Sequence, residues 1–127
     1  MEDVLPSDRF HRARLLLGEN AMARLHGAFV TIVGLGAVGG MAAEMLARSG
    51  VGRFRLVDFD TVHTSNINRQ ILALETTLGH RKVDLARDRI LSINPACRVE
   101  AMPLFVDPES LPALSLIHIS EPTRQRQ

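Results

Sequence analysis

The chain is poor in the residues from which several functional classes are built. A single cysteine, Cys97, excludes an intrachain disulfide framework and suits a reducing compartment such as the cytoplasm. The formal net charge is only +1, so composition leaves no electrostatic footprint for nucleic acid or a membrane surface. His11, His26, His63 and His80 are scattered, without an i, i+4 pair or a neighbouring cysteine, and no metal site is expected from them. Glu2, Asp3 and Asp8 stand where a secretory signal would begin with basic residues, so no signal is expected either. Internal repeats and low-complexity tracts are absent. Long uninterrupted apolar runs are also missing. The stretch from Ala28 to Leu46 comes nearest, but a spanning helix needs about 20 apolar residues without strong breakers. Gly34, Gly36, Gly39 and Gly40 cluster inside it, Glu44 would sit in the bilayer, and β-branched residues fill only its first part. A strand, a turn and a helix in succession account for that distribution, and no membrane association is expected.

What remains is the pattern of a small α/β domain. Asp8 to Leu25 reads as mostly helical, interrupted by Gly18, with Gly27 available as a stop. Ala28–Val33 is a short β-branched run bounded by glycine, as in a buried parallel strand. From Val38 to Ser49, Val38, Met41, Ala42, Met45 and Leu46 share a helical face, which predicts Met41 and Met45 in the core and Gly50 as the cap. Arg53–Val57 alternates Phe54 and Leu56 against two arginines, a second strand. Thr61 to Leu78 predicts a loop with a short helix. Lys82–Ile93 places Val83, Ala86, Ile90 and Ile93 on one side and is stopped by Asn94-Pro95. Arg98–Met102 predicts a third strand, and Asp107-Pro108 a further helix start. The expected architecture is a Rossmann-like doubly wound parallel sheet. Only its N-terminal βαβαβ half (28–113) is expected, after a helical segment (1–27).

Gly34-Leu35-Gly36-Ala37-Val38-Gly39 follows the first strand and opens the first crossover helix, the context in which G-x-G-x-x-G has meaning. The first glycine permits a tight turn, the second a close phosphate, and the third close helix–strand packing. The anion itself sits at the helix N-terminus. Ala37 keeps its N–H but would be uncomfortable in a left-handed conformation. Asp58 ends the second strand about 20 residues on, where an acidic side chain accepts ribose hydroxyls. These features alone fit an NAD-dependent oxidoreductase. The next residues, Asp58 to Gln70, redirect the reading. Asn66, Asn68 and Arg69 form a donor cluster that hydride transfer has no need of but attack on the α-phosphate of ATP does. Lys82, on the first turn of the next helix, adds a point charge. Asp60 reads as either a ligand or a turn-forming carboxylate. Cys97, with no CxxC and no flanking base, reads as a packing residue.

The pattern D-x-D-x-V-x-x-S-N-x-N-R-Q, from Asp58 to Gln70, is followed by Gly79 to Lys82 and Ile93-Asn94-Pro95. Together these motifs resemble the ThiF/MoeB-type adenylating enzymes, bacterial relatives of ubiquitin-activating enzymes. Within that group the likeness is greatest to the tRNA threonylcarbamoyladenosine dehydratases. It extends to Arg9-Phe10-His11-Arg12, to Leu16 through Met22, and to Asn66-Ile67-Asn68-Arg69-Gln70-Ile71. Sulfur-carrier activators usually differ at the position of Asn68. The resemblance implies ATP as the bound nucleotide, with Gly34, Gly36, Ala37, Gly39, Asp58, Asp60, Ser65, Asn66, Asn68, Arg69 and Lys82 around it. Arg69 and Lys82 would stabilise the departing pyrophosphate. Arg12 is either donated across a homodimer interface or merely a solvated charge. A substrate carboxylate becomes an acyl-adenylate; in the dehydratases a ring then closes on the modified adenosine of tRNA with net loss of water. The implied alternative is activation of a ubiquitin-like sulfur-carrier C-terminus, with a sulfur-carrier or sulfur-transfer partner.

Leu114 to Arg124 is, codon for codon, the translation of a transposase adapter used in sequencing libraries. Native sequence is therefore expected to stop at about Ala113, with 114–127 a non-native tail. The Mg2+ ligand and any functional cysteine that the resemblance implies are expected beyond that point. A sheet cut there leaves the apolar edge of the first strand unpaired. The 127 residues by themselves are expected to be an inactive fragment that binds nucleotide weakly.

Overall fold

The computed structural model describes residues 8–107, together with 109 and 125–126. β-branched and aromatic residues concentrate in two runs, and both extend into neighbouring parallel strands. β1 (Phe29–Val33) pairs in register with β2 (Arg53–Val57), Phe29 opposite Arg53 and Val33 opposite Val57. β3 (Arg98–Met102) lies on the far side of β2 with Arg98 opposite Arg53. β4 (Gln125–Arg126) runs parallel beside Val30 and Thr31, giving the order β3-β2-β1-β4. The β1 edge expected to be open is thus paired over two residues. Parallel strands need crossovers, and the helices α3 (Ala37–Ser49) and α4 (Lys82–Ile93) provide them. The boundaries expected for β2, α4 and β3 coincide with those observed. The expected loop helix is two single 3-10 turns, Thr64–Asn66 and Glu75–Thr77.

The core lies between one sheet face and the two crossover helices. Val30, Ile32, Phe54 and Leu56 meet Ala43, Ala47, Val83, Ala86 and Ile90, all buried. Each large aliphatic or aromatic side chain buried this way contributes roughly 1.5–3 kcal/mol. α3 differs from its expected face. Ala43 and Ala47 are buried in the core and Gly40 lies under Ile71 and Leu72, while Val38, Met41 and Met45 are exposed, Val38 at 83%. Met41 and Met45 are therefore not core residues. Small side chains let the α3 backbone approach the strands closely, and the larger apolar residues on the neighbouring stripe are left outside. Ala42 and Leu46 are partly buried at the border of the two stripes.

Buried charge ties the layers together. Glu44, on the inner side of α3, pairs with Arg48 one turn on at 2.6 Å and with Arg89 of α4. Burial pushes the Glu44 carboxyl up, but the two guanidinium groups outweigh it and hold it below the usual range. Arg55, on the strand face opposite Phe54 and Leu56, is also buried, bonded to Glu100 directly across the β2–β3 register and stacked near Phe29. Cys97 is buried with its thiol on the Val51 carbonyl at 3.3 Å, and burial raises its pKa, as befits a packing cysteine.

The N-terminal segment forms α1 (His11–Leu17) and α2 (Glu19–Gly27), broken at Gly18, where φ is +88°. α2 grips the turn between α3 and β2. Met22 is fully buried, and His26 Nδ1 lies 2.8 Å from the Gly50 carbonyl. A Cβ on Gly52 would stand 2.3 Å from the His26 carbonyl oxygen, so only glycine permits this approach. At the other end of the chain, Glu109 N–H donates to Asp107 Oδ1 at 3.1 Å, the hydrogen bond expected of an N-cap. The helix expected after it lies outside the described residues, as does the tail apart from β4.

Candidate nucleotide-binding site

The glycine loop is shaped by two constraints of different kinds. Gly34 turns with φ +92°, which L side chains rarely adopt, and its N–H donates to the Val57 carbonyl at 2.8 Å. Gly39 is fixed by contact: a Cβ there would lie 1.7 Å from the Gly34 carbonyl oxygen. Together they fold the end of β1 tightly against the first turn of α3. Gly36 is the N-cap and gives α3 no side-chain cap. The first-turn N–H groups therefore point outward for an acceptor. No described residue other than glycine has positive φ, so Ala37 sits in ordinary helical backbone and the discomfort anticipated there does not arise.

Asp58 binds this loop to the end of β2. Its Oδ2 accepts the Leu35 N–H at 2.6 Å and its Oδ1 accepts the Asp60 N–H at 2.8 Å. Each carboxylate oxygen retains a second lone pair for a ligand hydroxyl. Asp60 carries the chain of contacts further. Its carboxylate accepts the Thr61 N–H at 2.9 Å, lies 3.1 Å from His63 Nε2, and meets Lys82 Nζ at 3.5 Å. Burial raises its pKa, yet His63, the Thr61 N–H and Lys82 together hold it below the usual carboxylate range. Lys82 is only 4% exposed, an expensive place for an ammonium group unless it is paired. Its placement comes from the antiparallel bridge between Thr61 and Arg81 and from the Lys82 N–H bond to the Asp60 carbonyl.

The donor cluster sorts into buried and exposed members. Asn66 is buried, and its side chain accepts the His63 N–H at 2.9 Å, closing the first 3-10 turn. Arg69 is exposed, its guanidinium bonded to the Ser65 carbonyl at 2.9 Å and to Asn68 Oδ1 at 3.0 Å. Gln70, overlooked in the sequence as a site residue although it stands beside Arg69, is buried with its Nε2 next to Gly36. Ile71 and Leu72 continue this contact over Gly40. Arg12 is exposed on α1, and among the described residues no hydrogen bond or ion pair joins it to the loop.

A cavity of about 130 Å3 opens beside Gly34 and Asp58, lined also by Val33, Phe59, Leu104 and Phe105. Phe59 and Phe105 meet edge to face at 5.2 Å. Leu104 and Phe105 follow β3 with no periodic signal in the sequence, so only the fold reveals them. A larger groove of about 590 Å3 near Arg9, Arg48 and Arg89 touches none of the loop residues. Its arginines are already engaged by Glu44 and the Ile93 carbonyl. Among the described residues no three His, Cys, Asp or Glu side chains converge on a metal position, and no helix is long and apolar enough to cross a membrane.

The chain that carries this glycine loop, acidic strand end and buried lysine matches the sequence profile of one family over residues 10–121. The chain belongs to the ThiF family. Among other ThiF proteins it is 47% identical over 102 residues to the tRNA threonylcarbamoyladenosine dehydratase of Bacillus subtilis, covering 80% of this chain and 40% of that protein. The molybdopterin-synthase adenylyltransferase of Escherichia coli is 39% identical over 112 residues, covering 87% of this chain and 45% of that one. The crystal structure of the E. coli tRNA N6-threonylcarbamoyladenosine dehydratase in complex with ATP superposes with a TM-score of 0.83 at 40% identity. That superposition covers 86% of this chain and 45% of that one. The same protein has been crystallised with AMP. The chain thus spans under half the length of these ThiF relatives.

Proposed function

We propose that this chain carries the nucleotide half of an ATP-dependent adenylating site. The observation supporting it is the continuous path from Lys82 Nζ through the Asp60 and Asp58 carboxylates to the Leu35 N–H of the glycine loop. Hydride transfer has no use for a buried cation at that point, whereas a departing pyrophosphate does. In this reading the uncapped N-terminus of α3 receives the phosphates and Asp58 receives the ribose. Phe59, Leu104 and Phe105 offer apolar cover for the base. Arg69, with Ser65, Asn66 and Asn68 behind it, turns its planar donors to the triphosphate, and Lys82 supplies a fixed charge. A substrate carboxylate oxygen attacks the α-phosphorus, the α–β phosphoanhydride breaks, and pyrophosphate leaves with the electron pair.

The substrate we favour is the threonylcarbamoyl carboxylate on adenosine in tRNA, supported by 47% identity to a dehydratase against 39% to a sulfur-carrier activator. Activation of a carrier C-terminus is the competing member of the same chemistry. We place the protein in the cytoplasm and infer a homodimer in which Arg12 reaches the partner's site. Any Mg2+ would draw its ligands from outside the described residues. The test is isotope exchange between pyrophosphate and ATP, by the protein extended to the length of its relatives, with threonylcarbamoyladenosine-bearing tRNA or a sulfur carrier added. Exchange that requires the tRNA supports the reading. Tight NAD binding with no exchange in either case removes it.

A further inference from the structure

We infer that Gln70 is a phosphate-positioning residue, its carboxamide NH2 donating to an anion seated over Gly36 at the N-terminus of α3. The backbone of Gln70 is fixed on both sides, its N–H on the Asn66 carbonyl at 2.9 Å and its carbonyl on the Ala73 N–H at 3.0 Å. The side chain is 8% exposed, and its Nε2 lies 3.6 Å from where a Cβ on Gly36 would stand, the sole atom of a described residue within 4 Å of that point apart from Gly36 and its chain neighbours. Its Oε1 is buried and has no hydrogen-bond partner.

That arrangement is unfavourable for a packing residue. Burying a glutamine costs side-chain entropy, and an unpaired acceptor adds a desolvation penalty. Methionine or leucine would fill the same space without either cost. The group makes sense when the space over Gly36 holds an anion. The terminal torsion of glutamine is broad and two-fold, so a small turn presents the NH2 to the loop. There it joins the first-turn N–H groups that Gly36 leaves uncapped. Arg69 is exposed and Lys82 is bound to Asp60, so neither defines a point over the loop as narrowly as a buried neutral donor does. Gln70 would then fix which phosphate lies at Gly36, and the two cations would neutralise the rest. The inference rests on the nucleotide reading only for the identity of the molecule carrying that phosphate.

The test uses the 127-residue chain and its Gln70→Glu and Gln70→Met variants, titrated calorimetrically with tripolyphosphate, ATP and adenosine and melted without ligand. Gln70→Glu should weaken tripolyphosphate and ATP by about tenfold or more, the range for one hydrogen bond to a charged group, and leave adenosine within about twofold. Gln70→Met should weaken the same two ligands while its thermal midpoint stays level or rises. A purely structural glutamine would instead lower the midpoint on Gln70→Met and weaken all three ligands alike, which overturns the inference. So would variants that bind tripolyphosphate and ATP as the parent does, or a parent chain that binds none of the three. A parent that binds tripolyphosphate but not ATP, with Gln70→Glu losing it, refutes the nucleotide reading and keeps the inference.

Discussion

Replacing Gly39 by alanine isolates the contact on which the glycine loop depends. The added methyl would stand 1.7 Å from the Gly34 carbonyl oxygen and 2.9 Å from its carbon, against a practical limit near 3.0 Å. Both obstructing atoms are backbone, and Gly34 is held to Val57 by its own N–H. Relief therefore requires α3 to retreat from β1 by about 1.3 Å, lifting Ala43 and Ala47 off the strands. Overpacking a well-packed site costs about 1–3 kcal/mol. Since no flexible side chain can give way, the upper end applies. A domain of this size loses roughly 4 °C per kcal/mol, so the midpoint should fall by about 10 °C. The control is Gly36→Ala, whose methyl, its chain neighbours aside, meets only Gln70 Nε2 at 3.6 Å among the described residues. It should melt within about 2 °C of the parent, yet lose ATP, because the methyl occupies the phosphate's approach. Thermal melts by far-UV circular dichroism decide the matter. Equal losses for the two variants, or a benign Gly39→Ala, would refute the steric account.

Asp58→Asn replaces a carboxylate that accepts two backbone N–H groups with an amide that can accept properly from one, and should cost about 2 kcal/mol. Urea unfolding should show this as a lower midpoint at constant slope. Glu44 and Asp60 are both held below their ordinary pKa in the fold, so each adds stability at neutral pH that is lost as acid titrates through and below the carboxylate range. Melting temperature should be level above about pH 5 and fall below it, and Glu44→Gln should flatten part of that fall. Lys82→Met removes the buried member of an ion pair, but the remaining Asp60 is 38% exposed and keeps the Thr61 N–H and His63, so stability should fall by only about 1 kcal/mol. Tripolyphosphate affinity, measured calorimetrically, should drop about tenfold or more.

The sequence was most legible where a physical rule has a single reading. The β-branched run before Gly34, the Asn94-Pro95 stop and the alternation at Phe54 and Leu56 each predicted an element that forms where expected. The direction of α3 was not legible. Periodicity shows that a helix has an apolar stripe, and here Met41 and Met45 offered the larger one. The buried face is instead that of Gly40, Ala43 and Ala47, because close approach rewards small volume. The burial of Arg55 was not legible for a related reason, since it depends on Glu100, a partner 45 residues away. In the candidate site, Asn66 and Lys82 were proposed by type and spacing, but their surroundings could not be read. Nothing local says that Asn66 closes its own turn or that Lys82 lies against Asp60.

The grip of α2 on the turn between α3 and β2 bears on what the smallest autonomous piece of this protein can be. Gly52 fits only because it runs beneath the His26 carbonyl, and Gly50 lies against Met22 and His26. Those glycines belong to the βαβ crossover, but the surface they are shaped to fit belongs to the preceding helix. The division expected at residue 27 therefore passes through a packed contact. Trimming the chain to begin at β1 would strip the crossover of the wall formed by Met22 and His26, so a unit that holds the glycine loop in place is expected to include α2.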